Sequence, residues 1–157
     1  MEPSITVGYA IGSGDSNLEN DGDSSFRQTG IHRNEVILNG VNRFRYYGEL
    51  LNPELSNLKI LTASIGLSFF KNSSIEILFH DYEQVYPSSY LWDANIDEDL
   101  TGTSKDIGQE IDVVLGLEEW EHLELEFVAG VFKAGDAYGD LKGKIAATLS
   151  LKIDYNF

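Results

Sequence analysis

The stretch Lys144-Ile145-Ala146-Ala147-Thr148-Leu149-Ser150-Leu151-Lys152-Ile153-Asp154-Tyr155-Asn156-Phe157 alternates without a break. A strand repeats every two residues, so Ile145, Ala147, Leu149, Leu151, Ile153, Tyr155 and Phe157 share one face. Ala146, Thr148, Ser150, Lys152, Asp154 and Asn156 share the other. Soluble sandwich strands alternate too, but seldom for so long. A strand with lipid on one side and a wet lumen on the other has a direct reason to do so, and Phe157 suits the periplasmic interface. The expected fold is all-β: an antiparallel transmembrane β-barrel, or the carboxy-terminal sector of a larger one.

Five further segments carry the same two-sided pattern. Residues 4–15 set Ile5, Val7, Tyr9 and Ile11 against Thr6, Gly8, Ala10 and Gly12. Residues 57–70 set Leu61, Ala63, Ile65, Leu67 and Phe69 against Thr62, Ser64, Gly66 and Ser68. In 74–84, Ile75, Ile77 and Phe79 oppose Glu76, Leu78, His80 and Tyr82; in 107–117, Ile111, Val113, Leu115 and Leu117 oppose Gly108, Glu110, Asp112 and Gly116. Residues 123–133 place Leu123, Leu125, Phe127, Ala129 and Val131 opposite Glu124, Glu126, Val128 and Gly130. Small residues and carboxylates make a poor soluble core but a natural lining for a wet channel.

Connection lengths orient the strands. Residues 71–73 and 118–122 are short turns, whereas 16–56, 85–106 and 134–142 are long. With Phe157 at the periplasm, both short turns fall there and the long loops fall outside, as in known barrels. Phe69, Phe70, Trp120, Tyr155 and Phe157 are then expected in the lower aromatic girdle, and Tyr82, Tyr86, Phe132 and Tyr138 in the upper one. Six strands fall short of the usual minimum of about eight. A hairpin from 35–41 and 43–50 is one source of a further pair; the other account makes 1–157 a single domain that is the carboxy-terminal part of a longer barrel.

Composition narrows the function. The 157 residues hold 26 acidic and 11 basic side chains, for a formal charge of -15. Nucleic acid is excluded as a partner, since no basic stripe exists to neutralise phosphates. There is no cysteine, hence no disulfide framework and no thiolate metal site. Mean hydropathy is -0.19, and no apolar run approaches the roughly 18 residues of a spanning helix, which is no objection to alternating strands. Met1-Glu2-Pro3 carries neither a basic region nor an apolar core of an export signal.

The order of several motifs is more specific than any one of them. Gly12-Ser13-Gly14-Asp15, Phe26-Arg27-Gln28-Thr29-Gly30, Tyr46-Tyr47-Gly48-Glu49 and Pro53-Glu54-Leu55-Ser56-Asn57 follow one another, then His80-Asp81-Tyr82-Glu83-Gln84 and Gly108-Gln109-Glu110-Ile111-Asp112. This succession resembles the carboxy-terminal half of the alginate-export family of outer-membrane barrels. The resemblance implies a passive channel in the cell outer membrane of a Gram-negative-type bacterium, with a polysaccharide or small solute as cargo and the lipid bilayer as partner. Family members are larger barrels, which implies further strands as partners of this chain.

A polyanion needs cationic groups in the pore. The candidates are Arg27, Arg33, Arg43, Arg45 and Lys59, in or beside the first long loop, with His32 among them. The walls offer instead Glu76, Glu110, Asp112, Glu124, Glu126 and Asp154, opposed by Lys152 and Lys144, with His80 and Tyr82 on the same inner face. This departure favours a neutral glycan, a cationic solute or an unspecialised porin role over alginate itself. The bland alternatives are that the arginines pin the loop on Glu35, Glu49 and Glu54, and that the wall carboxylates bond to neighbouring strands.

Other chemistry finds little support. Asp93, Asn95, Asp97 and Asp99 begin like a calcium loop, but Glu98 and Ser104 stand where Gly and Glu are required. No phosphate-binding loop, nucleophile elbow or catalytic triad is present, and no cofactor, metal or enzymatic activity is expected. The runner-up function is a small non-conducting outer-membrane barrel with a structural, adhesion or cation-binding role.

Overall fold

The computed structural model describes residues 1–16, 25–28, 34–37 and 40–157. Six long strands, β1 (Glu2–Gly12), β4 (Leu58–Phe69), β5 (Ser73–Gln84), β6 (Asp106–Trp120), β7 (Leu123–Ala134) and β8 (Ile145–Tyr155), pair antiparallel in that order. Two short strands, β2 (Glu35–Val36) and β3 (Phe44–Arg45), pair with each other. A 3-10 helix, Asp136–Leu141, sits between β7 and β8. The sheet is an open sector: β1 and β8 each leave one edge unpaired.

Register turns the alternation into two surfaces of opposite character. One outward rung runs Ile5, Ile65, Ile77, Val113, Ala129, Leu149 across all six strands, and the next runs Val7, Ala63, Phe79, Ile111, Val131, Ala147. The inward rungs flanking the first of these run Ser4, Gly66, Glu76, Val114, Val128, Ser150 and Thr6, Ser64, Leu78, Asp112, Gly130, Thr148. Ile5 is 81 % exposed and Leu149 72 %, whereas His80, Glu110 and Asp112 are 0 % exposed. Greasy side chains outside and carboxylates inside is the reverse of a soluble core, and it is what a strand spanning hydrocarbon requires. The sheet is a sector of a transmembrane barrel wall. Among the described residues no helix is long and apolar enough to cross a membrane.

The outer face also marks its own limits. Asp81, Gln109 and Lys133 share one outward rung above the apolar ones, and Gln109 Nε2 donates to Asp81 Oδ1 at 2.9 Å. Phe70, Trp120, Tyr155 and Phe157 stand exposed at the other end, where a lower girdle was expected. From Leu123 to Val131 the strand covers about 27 Å, which tilt brings near the usual apolar height.

The buried side chains lie on the inner face, beneath the long loops. Leu58, Ile60, Tyr82, Ile107 and Phe132 from the strands meet Leu50, Leu51, Leu100, Ala137 and Tyr138 from the loops. Lower down, Leu78, Val114 and Val128 meet Phe44. Three expectations change accordingly. Tyr82, Phe132 and Tyr138 are 1 %, 2 % and 5 % exposed, so they belong to this inner cluster and not to an upper girdle; Tyr82 and Phe132 have the parity of His80 and Gly130. Of the hairpin expected from 35–41 and 43–50, the described residues show one two-residue bridge, because Phe44, Leu50 and Val36 pack against the wall instead of facing lipid. The turn expected at 118–122 shortens as β6 runs on to Trp120, which pairs with Leu123 after a register shift.

Arginine in place of Ile65, in the middle of the apolar band, should cost about 2–4 kcal/mol of stability in bilayers. Lysine in place of Thr148, on the inner face, should stay within about 0.5 kcal/mol. Denaturant titration of folding into phospholipid vesicles measures both, and equal costs would refute the assignment of faces.

Candidate functional site

Residues 40–51 of the first long loop do not stand above the barrel wall; they descend along its inner face. At the upper level, Leu50 N–H donates to Glu110 Oε1 at 2.6 Å, Leu51 N–H to Glu110 Oε2 at 2.9 Å and Glu49 N–H to Asp112 Oδ2 at 3.2 Å. At the lower level, Val41 N–H donates to Ser74 Oγ at 3.0 Å and Asn42 Nδ2 to the Leu115 carbonyl at 3.2 Å. Glu110 and Gly116 lie on the same strand and face, so the loop spans roughly 20 Å of wall.

Local sequence makes this descent sterically feasible. Gly48 has φ +102°, and a Cβ there would strike the Tyr82 hydroxyl and come within 2.8 Å of Glu110 Oε1. Glycine supplies both the left-handed conformation and the missing volume. The Tyr82 hydroxyl lies 3.0 Å from the Tyr47 carbonyl and 3.2 Å from Glu110 Oε2, tying turn to wall. At Gly116 a Cβ would come within 2.6 Å of Val41 and Asn42, so the wall is thinned where the loop reaches lowest. From above, Asn95 of the second long loop donates to the carbonyls of Leu50 at 2.8 Å and Leu51 at 2.9 Å.

Beside the descending loop lies a cleft of about 550 Å³. Arg43, Arg45, Glu35 and Glu49 of the loop face Glu118, Glu124 and Glu126 of β6 and β7, with Thr148, Ser150 and Lys152 of β8. Arg45 N–H donates to Glu49 Oε1 at 2.7 Å and its guanidinium to the Glu49 carbonyl oxygen at 3.3 Å. Burial pushes the Glu49 carboxyl above its ordinary range, against the pull of Arg45. Burial also pushes the neighbouring Tyr47 phenol up to about 12. Lys152 Nζ meets Asp154 Oδ2 at 2.7 Å.

The residues singled out in the sequence therefore separate into groups. Arg43, Arg45, Glu124, Glu126 and Lys152 come together around the cleft. Glu76, His80, Tyr82, Glu110 and Asp112 are buried in the wall under the loop. His80 Nδ1 is 2.9 Å from Thr62 Oγ1, and its Nε2 is 3.5 Å from Asp112 Oδ2. Arg27 lies at the rim, its guanidinium 3.3 Å above the Trp92 ring. Lys59 pairs outward with Glu83 at 3.5 Å and takes no part in the cleft. His32 and Arg33 lie outside the described residues. Glu118, Thr148 and Ser150 were not anticipated, though the parity of β6 and β8 implied them. No group of three or more His, Cys, Asp or Glu side chains among the described residues is placed to hold a metal ion.

Residues 1–150 match the protein family described as Alginate export. The chain belongs to that family. Its relatives include the alginate production protein AlgE of Pseudomonas aeruginosa, 34 % identical over 149 residues, an alignment covering 85 % of this chain and 30 % of the relative. The chain thus spans less than a third of that relative's length. As an alginate-export family member with an inside-out sheet, it resides in the outer membrane of a Gram-negative-type bacterium, with the bilayer against its apolar face.

Replacement of Gly48 by alanine should displace the descending loop and cost about 1–3 kcal/mol, from left-handed strain plus the clash with Tyr82 and Glu110. Thermal unfolding in detergent and protease cleavage within 34–56 read the effect; unchanged stability and cleavage would contradict the close approach.

Proposed function

We propose that this chain forms part of the wall and the constriction of a passive outer-membrane channel that exports a polysaccharide. The observation that carries the reading is the loop lodged along the inner face with an open, charged cleft beside it. Family membership supports a glycan as cargo, since the Pseudomonas relative is a protein of alginate production. The unpaired edges of β1 and β8 call for further strands, because open backbone in hydrocarbon costs several kcal/mol per unsatisfied group. The remaining strands of a larger barrel supply them, and 1–157 is the carboxy-terminal part of that domain.

The mechanism is diffusion through a bore that selects by size and charge, without cofactor or catalysis. Arg43, Arg45 and Lys152 are outnumbered at the cleft by Glu35, Glu49, Glu118, Glu124 and Glu126. This sector therefore favours a neutral or sparsely charged glycan over a polyuronate, and cations over anions among small ions. The second reading, a closed barrel with a structural role, draws on the interlocked upper loops, where Thr101 N–H bonds the Ala137 carbonyl at 2.8 Å and Glu54 N–H the Trp92 carbonyl at 2.9 Å.

Planar-bilayer recording separates the two. The channel reading expects stable unitary steps with cation-favouring reversal potentials, reduced about twofold in permeability ratio by Glu124→Gln with Glu126→Gln. Silence from folded protein supports the closed barrel, and clear anion selectivity contradicts the charge assignment.

A further inference from the structure

We infer that Glu110 and Asp112 are the positioning residues of the constriction: they hold the bore's width through the main chain of 49–51 and make no contact with solute. This rests on the channel reading above. Both side chains are 0 % exposed, so in this arrangement neither carboxylate faces the cleft or the passing solute. Their described partners include the successive N–H groups of Glu49, Leu50 and Leu51, the Tyr82 phenol, the His80 ring and each other. Consecutive amides converging on carboxylates form an anion-binding concavity, built here with the anion supplied by the wall and the amides by the loop.

Geometry makes the clasp specific to the backbone. Glu110 and Asp112 are same-face neighbours on β6, about 6.8 Å apart along the strand, a spacing that three bent loop residues can match. The Leu50 and Leu51 side chains turn into the apolar cluster, so the loop's grip on the wall at this level combines apolar packing, these N–H donations and the Tyr82 hydroxyl's bond to the Tyr47 carbonyl. Gly48 leaves room for the approach, and Asn95 takes up the carbonyls of the same two leucines. Arg43 and Arg45 follow the clasp directly down the loop. Their position in the cleft is therefore set by two carboxylates that belong to a different part of the chain.

A carboxylate only accepts hydrogen bonds, whereas a carboxamide presents an NH₂ donor on one side. Glu110→Gln thus keeps size and strand pairing but turns a donor toward one of the two N–H groups it held. Asp112→Ala removes the acceptor of the Glu49 N–H altogether. In the complete membrane protein, amide hydrogen exchange at residues 49–51 should accelerate about tenfold or more in either variant. Unitary conductance should rise by about twofold with added current noise as the loop leaves the bore. Glu110→Asp, which keeps the charge, should restore part of the protection.

Unchanged exchange overturns the clasp. Faster exchange with wild-type conductance overturns the constriction while leaving the channel intact. A wild-type protein that passes no current overturns the channel reading and the constriction with it. Should Glu110→Gln fail to fold, Asp112→Ala carries the test, because it removes a single N–H contact of 3.2 Å.

Discussion

Hydrocarbon offers no partner for a peptide N–H or carbonyl, and that constraint governs everything else in this chain. It forces the spanning segments into strands whose hydrogen bonds are made to neighbours, and it forces the lipid-facing side chains to be apolar at every second position. The unbroken rungs from Ile5 to Leu149 and from Val7 to Ala147 are the result. The inner face is freed by the same parity to hold glycine, serine, carboxylates and a histidine, groups that a soluble interior accepts only when each is matched.

Matching on the inner face is done by the loops. A buried carboxylate is costly unless hydrogen bonds replace its water, and three loop amides supply them to Glu110 and Asp112. The loop in turn needs somewhere to put Phe44, Leu50 and Leu51, and the inner face offers Leu78, Val114, Val128, Tyr82 and Phe132. At these contacts wall and loop each satisfy groups that the other leaves unpaired. Neither surface is stable as drawn without its counterpart.

Strand positions were legible because lipid writes them in plain alternation, and β8 is the clearest case. The inner face was harder to read, for two reasons. Leu78, Val114, Val128 and Phe132 sit at inward positions where a wet lumen suggested polar groups, and only a covering loop explains them. Glu110 and Asp112 looked like pore-lining charges because a carboxylate's partner here is main chain, and main-chain donors carry no sequence signature. The one local hint was Gly48 after two tyrosines, a residue placed for its absence of bulk. The upper girdle was misjudged for Tyr82 and Phe132 through composition, where parity already assigned them inward.

Glu119 gathers three donors on a single oxygen: Lys71 N–H at 3.0 Å, Asn72 N–H at 2.7 Å and Ser73 Oγ at 2.7 Å. The turn between β4 and β5 is thereby knotted to the lower end of β6. Such a knot holds the lower ends of β4, β5 and β6 level with one another. Slippage of β5 against β6 by a pair of residues breaks the knot, so the floor of the wall keeps these strands in step while the roof is left free to be shaped by its loops.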